Sequence, residues 1–391
     1  MKKGWEYKKL IDVCDFQGGS QPPKSEWITH ESEGYIRMLQ IRDFTQSRKV
    51  NPEYVKLTKR TKCCLSDDIL IGRYGASLGK ILTGIAGAYN VAIMRTIPND
   101  NILSKGYLKY YLQSSKFQSF LLNIGGRAAQ AGFNKEDLKS LIIPIMPLAE
   151  QRRIVSYLDS SFDLIDKIKE NASKSLSEAK ALFQSALAEA MEPKEGWEEK
   201  TLGEIATDMY RGSGIKRDQI SQIGFPCVRY GEIYTTYNYS FNVCVSHTNE
   251  SLINPKKYFD KGDILFAITG ESVEDIGKCI AYTGKERCLC GGDIVVMKHN
   301  QYPQFLAYAL STKEAIRQKG LGKVKLKVVH TNVPALKSIK IYLPTDIKVQ
   351  KQIVARLDKL SSKVRAIEEK YQKMIAECDA MKQAMLREVF E

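Results

Sequence analysis

Few stretches of this 391-residue chain combine residue types and spacing that could do chemistry. Gly75-Ala76-Ser77-Leu78-Gly79-Lys80-Ile81 has the outline of a phosphate-cradling loop. Its first glycine sits one place late, and no Ser or Thr follows Lys80 to hold magnesium. The stretch from Gly270 to Lys278 departs further. Asn51-Pro52-Glu53-Tyr54 is one residue from Asn-Pro-Pro-Tyr, which in adenine methyl transfer holds the amino group under attack. No glycine-rich cofactor loop lies near it, and the matching place holds Asn254-Pro255-Lys256-Lys257-Tyr258, so it reads as a turn before a strand. His30, His247, His299 and His330 form no repeated pair, and Cys288, Cys290 and His299 have the wrong spacing for a zinc site. Nine cysteines without a C-x-x-C predict scattered reduced thiols and a cytoplasmic setting. No catalytic group, metal site or cofactor site is expected.

The elements that would position any chemistry occur twice. Gly4, Trp5, Glu6 and Leu10 return as Gly196, Trp197, Glu198 and Leu202 at an offset of 192. Asp68-Ile69-Leu70 returns as Asp263-Ile264-Leu265 at 195, Gly79-Lys80 as Gly277-Lys278 at 198, and Leu158-Asp159 as Leu357-Asp358 at 199. Drift in the offset places insertions in loops of the first part of each copy. Short apolar runs predict strands at Tyr35–Ile41, Asp68–Arg73, Val91–Arg95 and Leu141–Ile145, and again at Cys227–Ile233, Asp263–Ile268, Ile294–Lys298 and Ile339–Leu343. A helix carrying Tyr107, Leu108, Tyr111 and Leu112, or Phe305, Leu306, Ala309 and Leu310, lies between the last two of each set. The expected class is mixed α/β: globules at 1–149 and 194–348, followed by long helices at 150–193 and 349–391.

The second long helix reads as a coiled-coil seam through Ile353, Leu357, Leu360, Val364, Ile367, Tyr371, Met374, Cys378, Met381 and Met385. The first carries smaller side chains in register: Ile154, Leu158, Ser161, Ile165, Ile168, Ala172, Ser175, Ala179, Leu182 and Ala186. Small against large predicts one intramolecular antiparallel pair with approximate two-fold symmetry and a length of roughly 63 Å at about 1.5 Å per residue. No run of about 18 apolar residues could span a membrane.

The formal charge of +14 is uneven. Residues 1–150 carry an excess of +8 and residues 193–349 of +5, whereas the helical segments together carry +1. Basic globules suit a polyanion. Candidate contacts to phosphates and base edges are Lys24, Arg37, Arg42, Arg73, Lys80, Arg127, Gln130 and Asn134 in the first copy, with Lys216, Arg217, Arg229, Lys278, Lys323 and Lys325 in the second.

Over its full length the chain resembles the specificity subunit of type I restriction-modification systems. Gly4-Trp5 and Gly196-Trp197, the Asp-Ile-Leu…Gly-Lys runs and above all Pro147-Leu148-Ala149-Glu150-Gln151-Arg152-Arg153-Ile154-Val155 carry the resemblance. The second copy of that string departs at its start but keeps Gln350, Ile353 and Val354. The resemblance implies two target recognition domains, each reading half of an asymmetric bipartite site in double-stranded DNA. It implies helices that set the gap and dock two modification subunits, which bring S-adenosylmethionine, with an ATP-driven restriction subunit doing the cutting. The chain itself would bind no cofactor and catalyse nothing. A helical scaffold whose basic globules bind RNA or protein is the alternative.

Overall fold

The computed structural model describes residues 5–46, 50–125, 132–270, 272, 275–321 and 329–391. It divides into two compact units, Met1–Ser173 with Gln372–Glu391, and Lys174–Tyr371.

In the first unit, Glu6–Lys9 pairs antiparallel with Ile142–Ile145, joining the start of the copy to its last strand. A four-stranded sheet runs in the order Cys14–Gly18, Ile93–Pro98, Leu70–Gly72, Ile81–Leu82. A second runs Tyr54–Lys56, Tyr35–Leu39, Gly87–Tyr89, Cys63–Cys64. The helix Lys105–Gln113 buries Tyr107, Leu108, Tyr111 and Leu112 in the core. The second unit repeats this plan with larger sheets: Trp197–Thr201 pairs with Lys340–Pro344, and two five-stranded sheets follow. Its helix Pro303–Ala309 buries Phe305, Leu306 and Ala309.

Two expected strands end early. Tyr35–Leu39 and Phe225–Val228 stop short, and Ile41 and Ile233 belong to the helices Ile41–Thr45 and Tyr230–Thr235 instead. A carboxylate is responsible in both copies. Asp43 accepts from the Gln40 backbone N–H at 2.8 Å, and Glu232 from that of Arg229 at 3.3 Å, each satisfying a donor at a helix start. Trp5 and Trp197, repeated at the start of each copy, are half-buried and pack at the margins of their cores.

The long helices are Leu148–Ala190 and Ile347–Phe390. In the first unit Asp166 accepts from Lys382 at 2.6 Å and Asp379 accepts from Lys169 at 2.6 Å, so the two helical segments there run antiparallel. Leu158, Ile165 and Ala172 are buried, as are Leu357 and Val364, with Ile154, Ile353 and Tyr371 half-buried. Four expected seam residues face outward: Ile168 and Ile367 are each 41% exposed, Met381 56% and Leu182 61%. Their neighbours Lys169, Glu368, Lys382 and Phe183 turn inward in their place. A helix of 3.6 residues per turn drifts about 20° per heptad from a strict seven-residue repeat, which moves the buried face one residue along.

Each core also takes in the end of a long helix. Met385, Leu386, Val389 and Phe390 pack into the first unit's core, where the Phe390 ring lies 5.0 Å from Tyr107 and 5.6 Å from Tyr111. Phe183, Leu187 and Met191 do the same in the second unit, with Phe183 6.2 Å from Tyr308.

Candidate nucleic-acid interface

Repeated polar residues are spent on structure. Gln151 is wholly buried: its Oε1 accepts from Ser104 N at 2.9 Å, and its Nε2 donates to Ile102 O at 2.7 Å and Met146 O at 2.9 Å. Gln350, also wholly buried, accepts from Tyr302 N at 3.0 Å and donates to Pro344 O at 2.9 Å and Gln301 Oε1 at 2.8 Å. Each glutamine thus bonds the first turn of a long helix to a loop and a strand end of its own unit. Eight residues on, Tyr110 donates to Asp159 at 2.5 Å and Tyr308 to Asp358 at 2.7 Å. The repeated Asp68 is buried and held by Leu65 N, Arg95 and Lys105. Burial alone would raise its carboxyl, but these partners outweigh burial and hold it below the ordinary range. Asp263 has Asp260 N and Lys298 as partners, and there burial wins and raises the carboxyl.

The glycine-rich segments are stapled to the sheets. A Cβ on Gly19 would lie 2.1 Å from Asn90 O, and one on Gly212 2.2 Å from Gly291 O. Only glycine permits that approach. Ser20 N and Ser213 N then donate to Tyr89 O at 3.0 Å and Cys290 O at 2.7 Å. Gly79 and Gly277 adopt left-handed φ of 75° and 72°, so the Gly-Lys pair shared by the copies marks a turn.

Many of the candidate contact residues already have partners. Lys24 pairs with Glu53 at 2.5 Å and lies 3.9 Å from the Trp27 ring, and Arg42 pairs with the same carboxylate. Burial would raise Glu53, but hydrogen bonds from Lys24 and Gln40 and the adjacent cations hold it low. Arg37 pairs with buried Asp43 at 2.7 Å. Arg73 donates to Phe133 O and Val91 O, each at 3.2 Å, and lies over the Tyr74 ring. Asn134 caps the turn after it through Glu136 N at 2.8 Å. Lys278 is half-buried, donates to Tyr234 O at 3.3 Å and has its amine pushed down by burial. Arg229 precedes the helix Tyr230–Thr235 and is half-buried. Lys80, Lys216 and Arg217 are exposed and form no ion pair among the described residues. Arg127, Gln130, Lys323 and Lys325 lie outside the described residues.

One basic segment escaped the reading above because it has no counterpart in the second copy. Lys56, Lys59, Arg60 and Lys62 are all exposed on the connection between Tyr54–Lys56 and Cys63–Cys64, at opposite edges of one sheet. Four cations in seven residues were a visible signal. Among the described residues no three His, Cys, Asp or Glu side chains come together as metal ligands, and no helix is long and apolar enough to cross a membrane.

Tandem α/β units are each closed by a glutamine-tied long helix, and each offers exposed cations beside a glycine-stapled sheet. The chain belongs to the type I restriction-modification DNA specificity family, whose domain model matches residues 2–177 and 194–376; it is a specificity subunit of such a system. Similar proteins include the MjaVIII specificity subunit of Methanocaldococcus jannaschii, 24% identical over 92% of this chain and 86% of that one. The EcoKI specificity subunit of Escherichia coli K12 is 21% identical over 100% of this chain and 89% of that protein. Among solved structures, a chain from a type I restriction-modification assembly superposes with a TM-score of 0.73 at 19% identity, covering 98% of this chain and 97% of that one. A specificity subunit from Thermoanaerobacter tengcongensis superposes at 0.50 and 20% identity, covering 100% and 97%.

Proposed function

We propose that each globule, 1–149 and 194–348, reads one half of an asymmetric bipartite site in double-stranded DNA, and that the helices 150–193 and 349–391 set the gap. The observation that carries this reading is the contrast between repeated and unrepeated residues. Gln151 and Gln350, Asp159 and Asp358, and Gly19 and Gly212 make matching bonds or close approaches in both units. Among the described residues the exposed cations Lys56, Lys59, Arg60 and Lys62 have no counterpart in the second copy, and exposed Lys80 is matched by half-buried Lys278, as two readers of different sequences would require.

On this reading the chain works in the cytoplasm without catalysing a reaction. It positions two modification subunits, which supply S-adenosylmethionine and methylate adenine, and a restriction subunit joins that assembly. Helices of 43 and 44 residues would span about 65 Å at about 1.5 Å per residue, long enough to hold two readers several base pairs apart.

Mapping methylated adenines in the source genome tests the proposal: one bipartite motif with a constant gap is expected. Removing a heptad from both helices together should change the tolerated gap and leave both half-site sequences alone. A changed half-site preference would sink the division between readers and ruler. Binding of structured RNA at least as tight as duplex DNA would instead favour the scaffold alternative.

A further inference from the structure

The cations of the first globule differ in whether a carboxylate meets them. Lys8, Lys24, Arg37, Arg42, Arg95, Lys105, Lys135 and Lys139 each have an acidic partner. Lys56, Lys59, Arg60 and Lys62 have none among the described residues, and all four side chains are exposed.

The backbone that carries them is tightly fixed. Thr58 N donates to Thr61 Oγ1 at 3.0 Å, Arg60 N to Thr58 Oγ1 at 3.3 Å, and Thr61 Oγ1 to Lys56 O at 3.2 Å. Thr61 N donates to Thr58 O at 3.0 Å, closing the turn. At its ends Leu57 N donates to Gly34 O at 2.8 Å and Tyr89 N to Lys62 O at 3.1 Å. Lys62 N donates to Ser20 Oγ at 3.2 Å, which sets the turn against the glycine-stapled segment. Four like charges held within seven residues repel one another, so the turn carries a standing electrostatic cost that a polyanion would relieve.

The matching connection of the second unit is built differently. Between its strands Ser246–Thr248 and Tyr258–Phe259 stand Glu250, which pairs with Lys256 at 3.8 Å, and Lys257, whose amine lies 5.7 Å from the Tyr210 ring.

We propose that the turn Lys56–Lys62 is a clamp on the phosphate backbone of duplex DNA. Phosphates recur at one charge per about 1.7 Å of duplex axis, so a turn of this size faces enough of them to engage all four cations. The inference rests on the duplex-DNA reading above.

The test uses the full chain assembled with its modification subunit, titrated against fluorescent duplexes with and without the methylation motif over a range of salt. Replacing all four residues (Lys56→Gln, Lys59→Gln, Arg60→Gln and Lys62→Gln) should reduce the slope of log affinity against log salt by about 3 to 4. Affinity should fall equally on motif and non-motif duplex, with the preferred motif and assembly with the modification subunit unchanged and the thermal melt not lowered. Lys59→Gln and Arg60→Gln alone, which leave the threonine bonds untouched, should each lower the slope by about 1. A slope altered by less than 1 in the fourfold variant overturns the clamp while leaving the duplex reading intact. So does a loss of assembly in place of a loss of slope, which would make the turn a protein contact. Absence of salt-dependent duplex binding by the parental assembly would overturn the duplex reading, and the clamp with it.

Discussion

Replacing Gln151 with Leu keeps side-chain bulk and removes every polar contact by which the first long helix is tied at residue 151. Ser104 N, Ile102 O and Met146 O lose the partners they have at 2.9, 2.7 and 2.9 Å. A buried backbone group left unpaired costs about 1 to 3 kcal/mol, and three such groups with partial relief by water give about 4 kcal/mol. Extra apolar burial by Leu returns about 1 kcal/mol, leaving a net loss of about 3 kcal/mol against a stability of about 5 to 15 for an ordinary domain. Gln350→Leu should cost about 1 kcal/mol less, because one of its three partners is the side chain of half-buried Gln301, which can rotate toward water. Urea unfolding followed by tryptophan fluorescence separates the two: Trp5 and Trp27 lie in the first unit and Trp197 in the second, so Trp197→Phe leaves a probe of the first alone. At an m-value of about 1 to 3 kcal/mol/M the midpoint of the first unit should fall by at least about 1 M in Gln151→Leu. A loss under about 1 kcal/mol, or an equal loss from the two glutamines, would refute the claim that these buried bonds fasten the helices.

Arg73→Ala should destabilise the first unit by about 1 to 2 kcal/mol through the freed Phe133 and Val91 carbonyls, while Lys80→Ala should leave stability alone and lower the DNA salt slope by about 1. Gly19→Ala places a Cβ 2.1 Å from a backbone oxygen and should cost about 1 to 3 kcal/mol in a thermal or urea melt. His299, whose Nδ1 accepts from Gln301 N at 3.0 Å, is pushed down by burial to about 4. The folded second unit therefore binds fewer protons than the unfolded chain between about 4 and 6.5, so its stability is fully present above 6.5 and lost as pH falls through 4. His299→Gln should remove up to about 1.4 kcal/mol per pH unit of that dependence, read from urea midpoints across the window. A double-mutant cycle on exposed Asp379 and half-buried Lys169 should return under about 1 kcal/mol.

The repeat, the α/β class and the long helices could be read from residue order, because matching strings and a 3.5-residue periodicity need no partner outside the local segment. The string around Gln151 was visible, but its role was not, since its partners at Ile102, Ser104 and Met146 are brought to it only by the fold. Neither were the partners of Lys24 and Arg42 legible: Glu53 stands 29 and 11 residues away. Ile41 and Ile233 looked like strand residues until Asp43 and Glu232 bonded backward and began helices. The seam placed Ile168, Leu182, Ile367 and Met381 inside because a strict heptad was extended along helices that do not follow it over their whole length.

A cation whose charge is met by a fixed carboxylate can reach a phosphate only by giving up that partner, so pairing inside the globule and binding outside it compete for the same side chain. Arg37 faces this choice most sharply, because releasing it would leave Asp43 charged and buried while that carboxylate also holds the Gln40 N–H. Lys24 and Arg42 share one carboxylate, so either can leave while the other still satisfies Glu53. The cations of the Lys56–Lys62 turn have no such carboxylate to surrender among the described residues. Their affinity for a polyanion is therefore available without rearrangement, which favours early, sequence-independent capture of the duplex. On the proposed duplex reading, one of Lys24 and Arg42 would exchange Glu53 for a group on the DNA while the other still satisfies that carboxylate.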